Sequence, residues 1–97
     1  MKILWPPDIP PPPDYPRWFT GWLQEQFSAS EVIERHCRAG DISLETYVPR
    51  EEDAYLLRCS LAELLLERGH GAAMVGDRIE ITLDMADRTV RAACGLK

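Results

Sequence analysis

Seven of the chain's eight prolines, Pro6, Pro7, Pro10, Pro11, Pro12, Pro13 and Pro16, fall within its first 16 residues. Each proline fixes φ near about −65° and removes a backbone donor, so such a run can enter neither a helix interior nor a central strand. The sequence therefore predicts an extended, polyproline-like arm over residues 1–16 and a single folded domain over 17–97. With 97 residues and 11.1 kDa in all, there is material for one core and none for a separate cofactor module.

Within the arm, Pro12-Pro13-Asp14-Tyr15 spells the PPxY pattern that WW domains bind in polyproline form. This makes Tyr15 a candidate partner-binding residue. The reading preferred here is that Trp5 and Ile9 fold back on the domain while the prolines stiffen the arm.

After the arm the hydrophobic period changes. Trp18, Phe19, Trp22, Leu23 and Phe27 recur at helical spacing, with at least two of the first three rings expected in the core. Ser28-Ala29-Ser30-Glu31 has the form of a capping box, starting a second helix that carries Val32, Ile33, His36 and Cys37 and stops at Gly40. One bent helix over 16–39 is the alternative. Residues 41–49 then alternate, Ile42, Leu44, Thr46 and Val48 against Ser43, Glu45 and Tyr47, as a half-buried strand does.

Residues 50–68 form the strongest helical segment, with Ala54, Leu57, Leu61, Leu64 and Leu65 on one stripe, widened by Tyr55, Cys59, Ala62 and Leu66. Glu52, Ser60, Glu63 and Glu67 make its polar side, with Leu56 an exception among them. Gly69-His70-Gly71 ends it. Two further strands flank Gly76-Asp77, a two-residue loop with glycine first, as a type II′ hairpin requires. Ala73 and Val75 are expected to share the buried face with Ile79, Ile81 and Leu83. Asp84 is expected to cap a last short helix closed by Gly95. The sum is an α+β fold, a three-stranded antiparallel sheet packed by helices on one face in the order ααβαββα. Its other face is left open and lined by Glu45, Tyr47, Arg78, Glu80 and Thr82.

Eleven basic against sixteen acidic residues give a net charge of −5, which repels phosphate backbones and anionic membranes. Acidic residues also outnumber basic ones in the helix that a winged-helix reading would place in DNA. Lys2 and Lys97 are the only lysines, an arginine usage typical of GC-rich bacterial or phage genomes. No apolar run approaches the length of a membrane span, and no signal peptide is evident. Cys37, Cys59 and Cys94 are odd in number and lack a CxxC pair, so a reducing cytoplasm is expected, with no disulfide framework, metal or cofactor.

No Walker loop, GxGxxG, HExxH or GxSxG occurs. Glu51, Glu52 and Asp53 cluster at the start of the long helix, where the macrodipole stabilises them without an ion, and they are expected to face solvent. The functional expectation is a non-enzymatic binder that occupies a larger protein or complex as an inhibitor or adaptor. It meets a basic partner surface through Glu51, Glu52, Asp53, Tyr47, Glu80 and Tyr15. Small acidic proteins of this kind occur among phage and mobile-element products that block host defence, as anti-CRISPR-type inhibitors or nucleic-acid charge mimics. A homodimer through the doubled stripe of the long helix is also expected. The alternative is a small enzyme or enzyme subunit using His70 with carboxylate or thiol groups at an interface.

Overall fold

A computed structural model describes residues 1–6, 18–84 and 86–93. The elements in chain order are β1 (Lys2–Trp5), α1 (Trp18–Gln26), α2 (Ala29–Ala39), a 3-10 turn (Glu51–Asp53), α3 (Ala54–Glu67), β2 (Gly71–Val75), β3 (Arg78–Thr82) and α4 (Arg88–Ala93). The three strands form one antiparallel sheet in the order β1-β3-β2. A small α+β fold is thus present.

Its third strand is not the expected one. Residues 41–49 contain no strand, and the edge place beside β3 is taken by Lys2–Trp5, four residues of the segment assigned to the arm. Ile3 and Trp5 stand opposite Ile81 and Ile79, and an edge strand that ends before Pro6 needs no donor from the prolines. Met1 extends the pairing: its carbonyl accepts from the Leu83 N–H at 2.8 Å and its own nitrogen donates to the Leu83 carbonyl at 3.1 Å. The element order is therefore βαααββα, leaving out the 3-10 turn, rather than ααβαββα. Residues 7–17, including Tyr15 and the PPxY pattern, lie outside the described residues, as does Gly95.

The hairpin loop is Gly76-Asp77 as expected. Gly76 has φ of 64°, and Asp77 is not among the residues with positive φ, the sign pattern of a type II′ turn. The facing of β2 is the reverse of the expectation. A two-residue loop makes Val75 and Arg78 a directly opposed pair, and opposed residues share a face. Ala72 and Met74, not Ala73 and Val75, therefore point inward beside Ile81 and Ile79. Lys2, Leu4, Ala73, Val75, Arg78, Glu80 and Thr82 make the outer face.

Against the inner face sits a core of Ile3, Phe19, Trp22, Leu23, Phe27, Ala62, Leu64, Leu65, Ile79, Ile81 and Leu83. Phe19 stacks on Trp22 with centroids 5.7 Å apart and takes the edge of Trp5 at 5.5 Å. The ring of His70 meets Trp22 at 5.0 Å. These aromatic contacts dock α1 on β1 and on the end of α3. Helix α2 packs against α3, with Val32 on the core and His36 and Cys37 buried, and ion pairs line the seam: Arg35 reaches Glu67 at 2.7 Å and Glu63 at 3.5 Å, and Arg68 reaches Glu31 at 2.9 Å. Arg68 also lies over the Phe27 ring and donates to the Gln26 carbonyl.

The helix ends follow local chemistry. Ser28 caps α2 by accepting from the Glu31 N–H at 3.3 Å, while the Glu31 carboxylate turns to Arg68 instead of completing a box. Both α2 and α3 end in Schellman motifs. In α3, Gly69 holds the left-handed position at φ 86°, with Gly69 N–H donating to Leu66 and His70 N–H to Leu65. In α2 the equivalent position falls one residue past Gly40, on Asp41 at φ 52°, with Asp41 N–H donating to Arg38 and Ile42 N–H to Cys37. Asp84 caps a turn through the Ala86 N–H at 2.9 Å, and α4 starts only at Arg88. Ser60, expected on the polar side of α3, is buried and donates to the Leu56 carbonyl at 3.2 Å.

Trp22→Ala should cost about 3–5 kcal/mol, since it removes the largest fully buried side chain. Trp22→Phe should cost much less, because the buried Trp22 Nε1 has no hydrogen-bond partner among the described residues. Denaturant unfolding of both variants checks this. Asp41→Gly should raise stability by about 0.5–1 kcal/mol by relieving the left-handed conformation, read as a higher melting temperature.

Candidate protein-interaction surface

The Schellman end of α2 sends the chain into residues 42–50, which turn at 44–46 and return to α3. The turn is closed by the Thr46 N–H and hydroxyl, each donating to the Ser43 carbonyl at 3.4 Å. The segment cannot settle on the sheet. The Arg35–Glu63/Glu67 and Arg68–Glu31 pairs set α2 antiparallel to α3, so the chain leaves α2 near the same end of α3 at which it must re-enter. An extended strand of nine residues would carry it away from that point. Its alternating apolar residues consequently face solvent: Ile42, Leu44 and Val48 are exposed, Val48 at 72%. Ile42, Thr46, Tyr47, Val48 and Arg50 line an open depression.

One buried carboxylate holds this surface in shape. Asp53, only 6% exposed, accepts at Oδ2 from the Tyr47 hydroxyl at 3.1 Å, the Arg50 N–H at 3.3 Å and Arg50 Nε at 3.2 Å, and at Oδ1 from Arg50 Nη2 at 3.2 Å. The guanidinium is thus bidentate, the geometry that suits arginine to carboxylate. Arg50 Nη1 also reaches Glu52 Oε1 at 2.7 Å. On its other side the Tyr47 ring packs against His36 at 5.3 Å.

The Arg50 bonds, opposed by burial and helped by the Tyr47 hydroxyl, hold the Asp53 carboxyl below its ordinary range. Burial, followed by the bond to Asp53, pushes the Tyr47 hydroxyl up. The bonds to Asp53 raise Arg50 further.

The expected site residues divide accordingly. Tyr47, Glu51, Glu52 and Asp53 do come together, but Asp53 is an interior strut and not a solvent-facing charge, because a carboxylate taking four donors is turned inward by them. Glu51 and Glu52 stay exposed. Glu80 lies on the outer face of β3, with Lys2 Nζ 3.9 Å away, and Tyr47 and Glu45 do not join it there because residues 41–49 are not in the sheet. Arg50, missed as an organiser, was signalled by its spacing: a residue three places before Asp53 at a helix start can close on it.

His70 uses its ring on Trp22 and its N–H to end α3. Cys37 is buried, and neither it nor Cys59 is in a disulfide. Among the described residues no three His, Cys, Asp or Glu side chains gather as a metal site, and no helix is long and apolar enough to cross a membrane. The chain matches no protein-family model, no curated protein and no solved structure.

Because the folded pKa of Asp53 lies below its unfolded value, the network stabilises the fold at pH above the ordinary carboxylate range. That stability is lost as pH falls through the folded pKa. Asp53→Asn should therefore lower the unfolding midpoint at neutral pH and flatten its decline on the acid side, as thermal unfolding between neutral and strongly acidic pH will read.

Proposed function

We propose that this chain is a non-enzymatic protein-binding protein that engages a larger protein or complex through residues 42–52. The observation that carries the reading is the exposure of Ile42, Leu44 and Val48 on a backbone braced by the Tyr47–Asp53–Arg50 network. Exposed apolar residues followed in the chain by the exposed carboxylates Glu51 and Glu52 combine the two ingredients of a recognition surface, an apolar centre and a charged rim. Bracing lowers the conformational entropy that binding must overcome.

The matching partner presents an apolar pocket flanked by basic residues, including a surface that otherwise holds nucleic acid. The net charge of −5 assists encounter with such a surface and opposes binding to nucleic acid directly. Acting by occupancy, the protein works as a stoichiometric inhibitor or as an adaptor.

The test compares three forms of the protein for capture of a binding partner and for binding kinetics across ionic strength. Leu44→Glu with Val48→Glu should weaken binding at least about tenfold, mainly by faster dissociation. Glu51→Lys with Glu52→Lys should slow association at low salt and leave dissociation nearly unchanged. Leu44 and Val48 are exposed, so the first variant should stay within about 0.5 kcal/mol of wild-type stability, while the second should lose about 1–2 kcal/mol from the helix start and the Arg50–Glu52 pair yet remain folded. Equal binding by all three forms would place the contact elsewhere and refute the proposal.

A further inference from the structure

Among the described residues the sheet has an unprotected edge. β2, Gly-Ala-Ala-Met-Val, contains no charge, proline or bulge, and among the described residues only β3 pairs with it. Natural edge strands usually carry such devices to prevent pairing with another chain. In a two-residue hairpin the flanking pair, here Val75 and Arg78, is the hydrogen-bonded one. Gly71, Ala73 and Val75 therefore spend their backbone groups on β3, and Ala72 and Met74 direct theirs to the free edge.

An apolar helix flank stands on the same side. Helix α3 lies over β2 and β3, with α2 held on one flank by Arg35 and α1 over β1, where Phe19 meets Trp5. The remaining flank, above the free edge of β2, carries Tyr55, Cys59 and Leu66, with Ala62 of the core at its inner margin. Tyr55 and Leu66 are 47% and 56% exposed.

We infer that these two stripes form a two-fold interface with a second copy of the chain. β2 pairs antiparallel with β2 of that copy, with Ala73 on the axis. This register sets Ala72 against Met74 in both directions and satisfies all the outward backbone groups of both residues. It also keeps the helix-bearing faces of the two sheets on the same side, giving one continuous six-stranded sheet.

The helices fit the same operator. Antiparallel α3 segments place Tyr55 opposite Leu66 at both ends, with the half-buried Cys59 of each copy near the axis between them. Strands are spaced ~4.8 Å apart and α3 straddles β2 and β3, so the two helices come to roughly 10 Å, a distance at which helices pack. A five-residue strand alone falls short of the ~1,000 Å² total that stable association needs, and the helix flank supplies the remainder. No like charges oppose each other in the strand pair, despite the net charge of each copy. The interface is separate from residues 42–52 and does not depend on their function.

Sedimentation equilibrium of the full chain should give twice 11.1 kDa, shifting towards monomer on dilution. Ala73→Cys should be linked to itself by mild oxidation, because a non-hydrogen-bonded antiparallel pair brings Cα atoms to ~4.5 Å, within disulfide reach, and peptide mapping should find position 73 joined to position 73. Tyr55→Lys with Leu66→Lys should weaken the dimer at least about tenfold with circular dichroism unchanged. A monomer at every soluble concentration would overturn the inference, as would a dimer in which Ala73→Cys forms no 73–73 link. If the lysine variant does not fold, the crosslink decides alone.

Discussion

The pairing of Lys2–Trp5 with β3 is the contact on which the other elements depend. It places Ile3 beside Ile81 and Trp5 beside Ile79, converting a two-stranded hairpin, marginal by itself in water, into a sheet wide enough to carry a core. Trp5 then offers its edge to Phe19, and through the Phe19–Trp22 stack α1 acquires its position. Without β1 the inner face of β3 would lose one flank, and the aromatic side chains of α1 would have no floor.

How much of this could be read from the sequence depended on the range of the determining contacts. Local codes were legible: the period of Trp18–Phe27, the serine cap at Ser28, the long helix and the glycine-first hairpin each need only a few neighbouring residues. Residues 41–49 failed because strand propensity is mostly a statement about packing on neighbours, and the ion pairs between α2 and α3 that deny this segment a neighbour join residues about thirty places apart. Lys2–Trp5 was overlooked for a related reason. The prolines after it dominate composition over the first 16 residues, but a strand needs only the four that precede them.

The same distinction applies to the interaction surface. Glu51, Glu52 and Asp53 are equivalent as a run of charges, and no local rule separates them. Burial and the four bonds to Asp53 do, assigning one carboxylate to architecture and leaving two for solvent. The facing of β2 is a different case: the two-residue loop fixes Val75 opposite Arg78, and the apolar character of Val75 conceals what the turn geometry implies.

The hydrogen bonds between Met1 and Leu83 close a span of 82 residues, and the whole β1–β3 ladder lies at that range. During synthesis β1 leaves the ribosome well before its partner, which is translated only after α1, α2, α3 and β2. Ile3 and Trp5 must wait unpaired through that interval. Formation of the last ladder then carries the entropy of closing the long loop between Trp5 and Ile79, which makes it the natural slow step of folding. Nascent chains stalled before β3 would hold Ile3 and Trp5 without their partners, the form most exposed to chaperones and proteases.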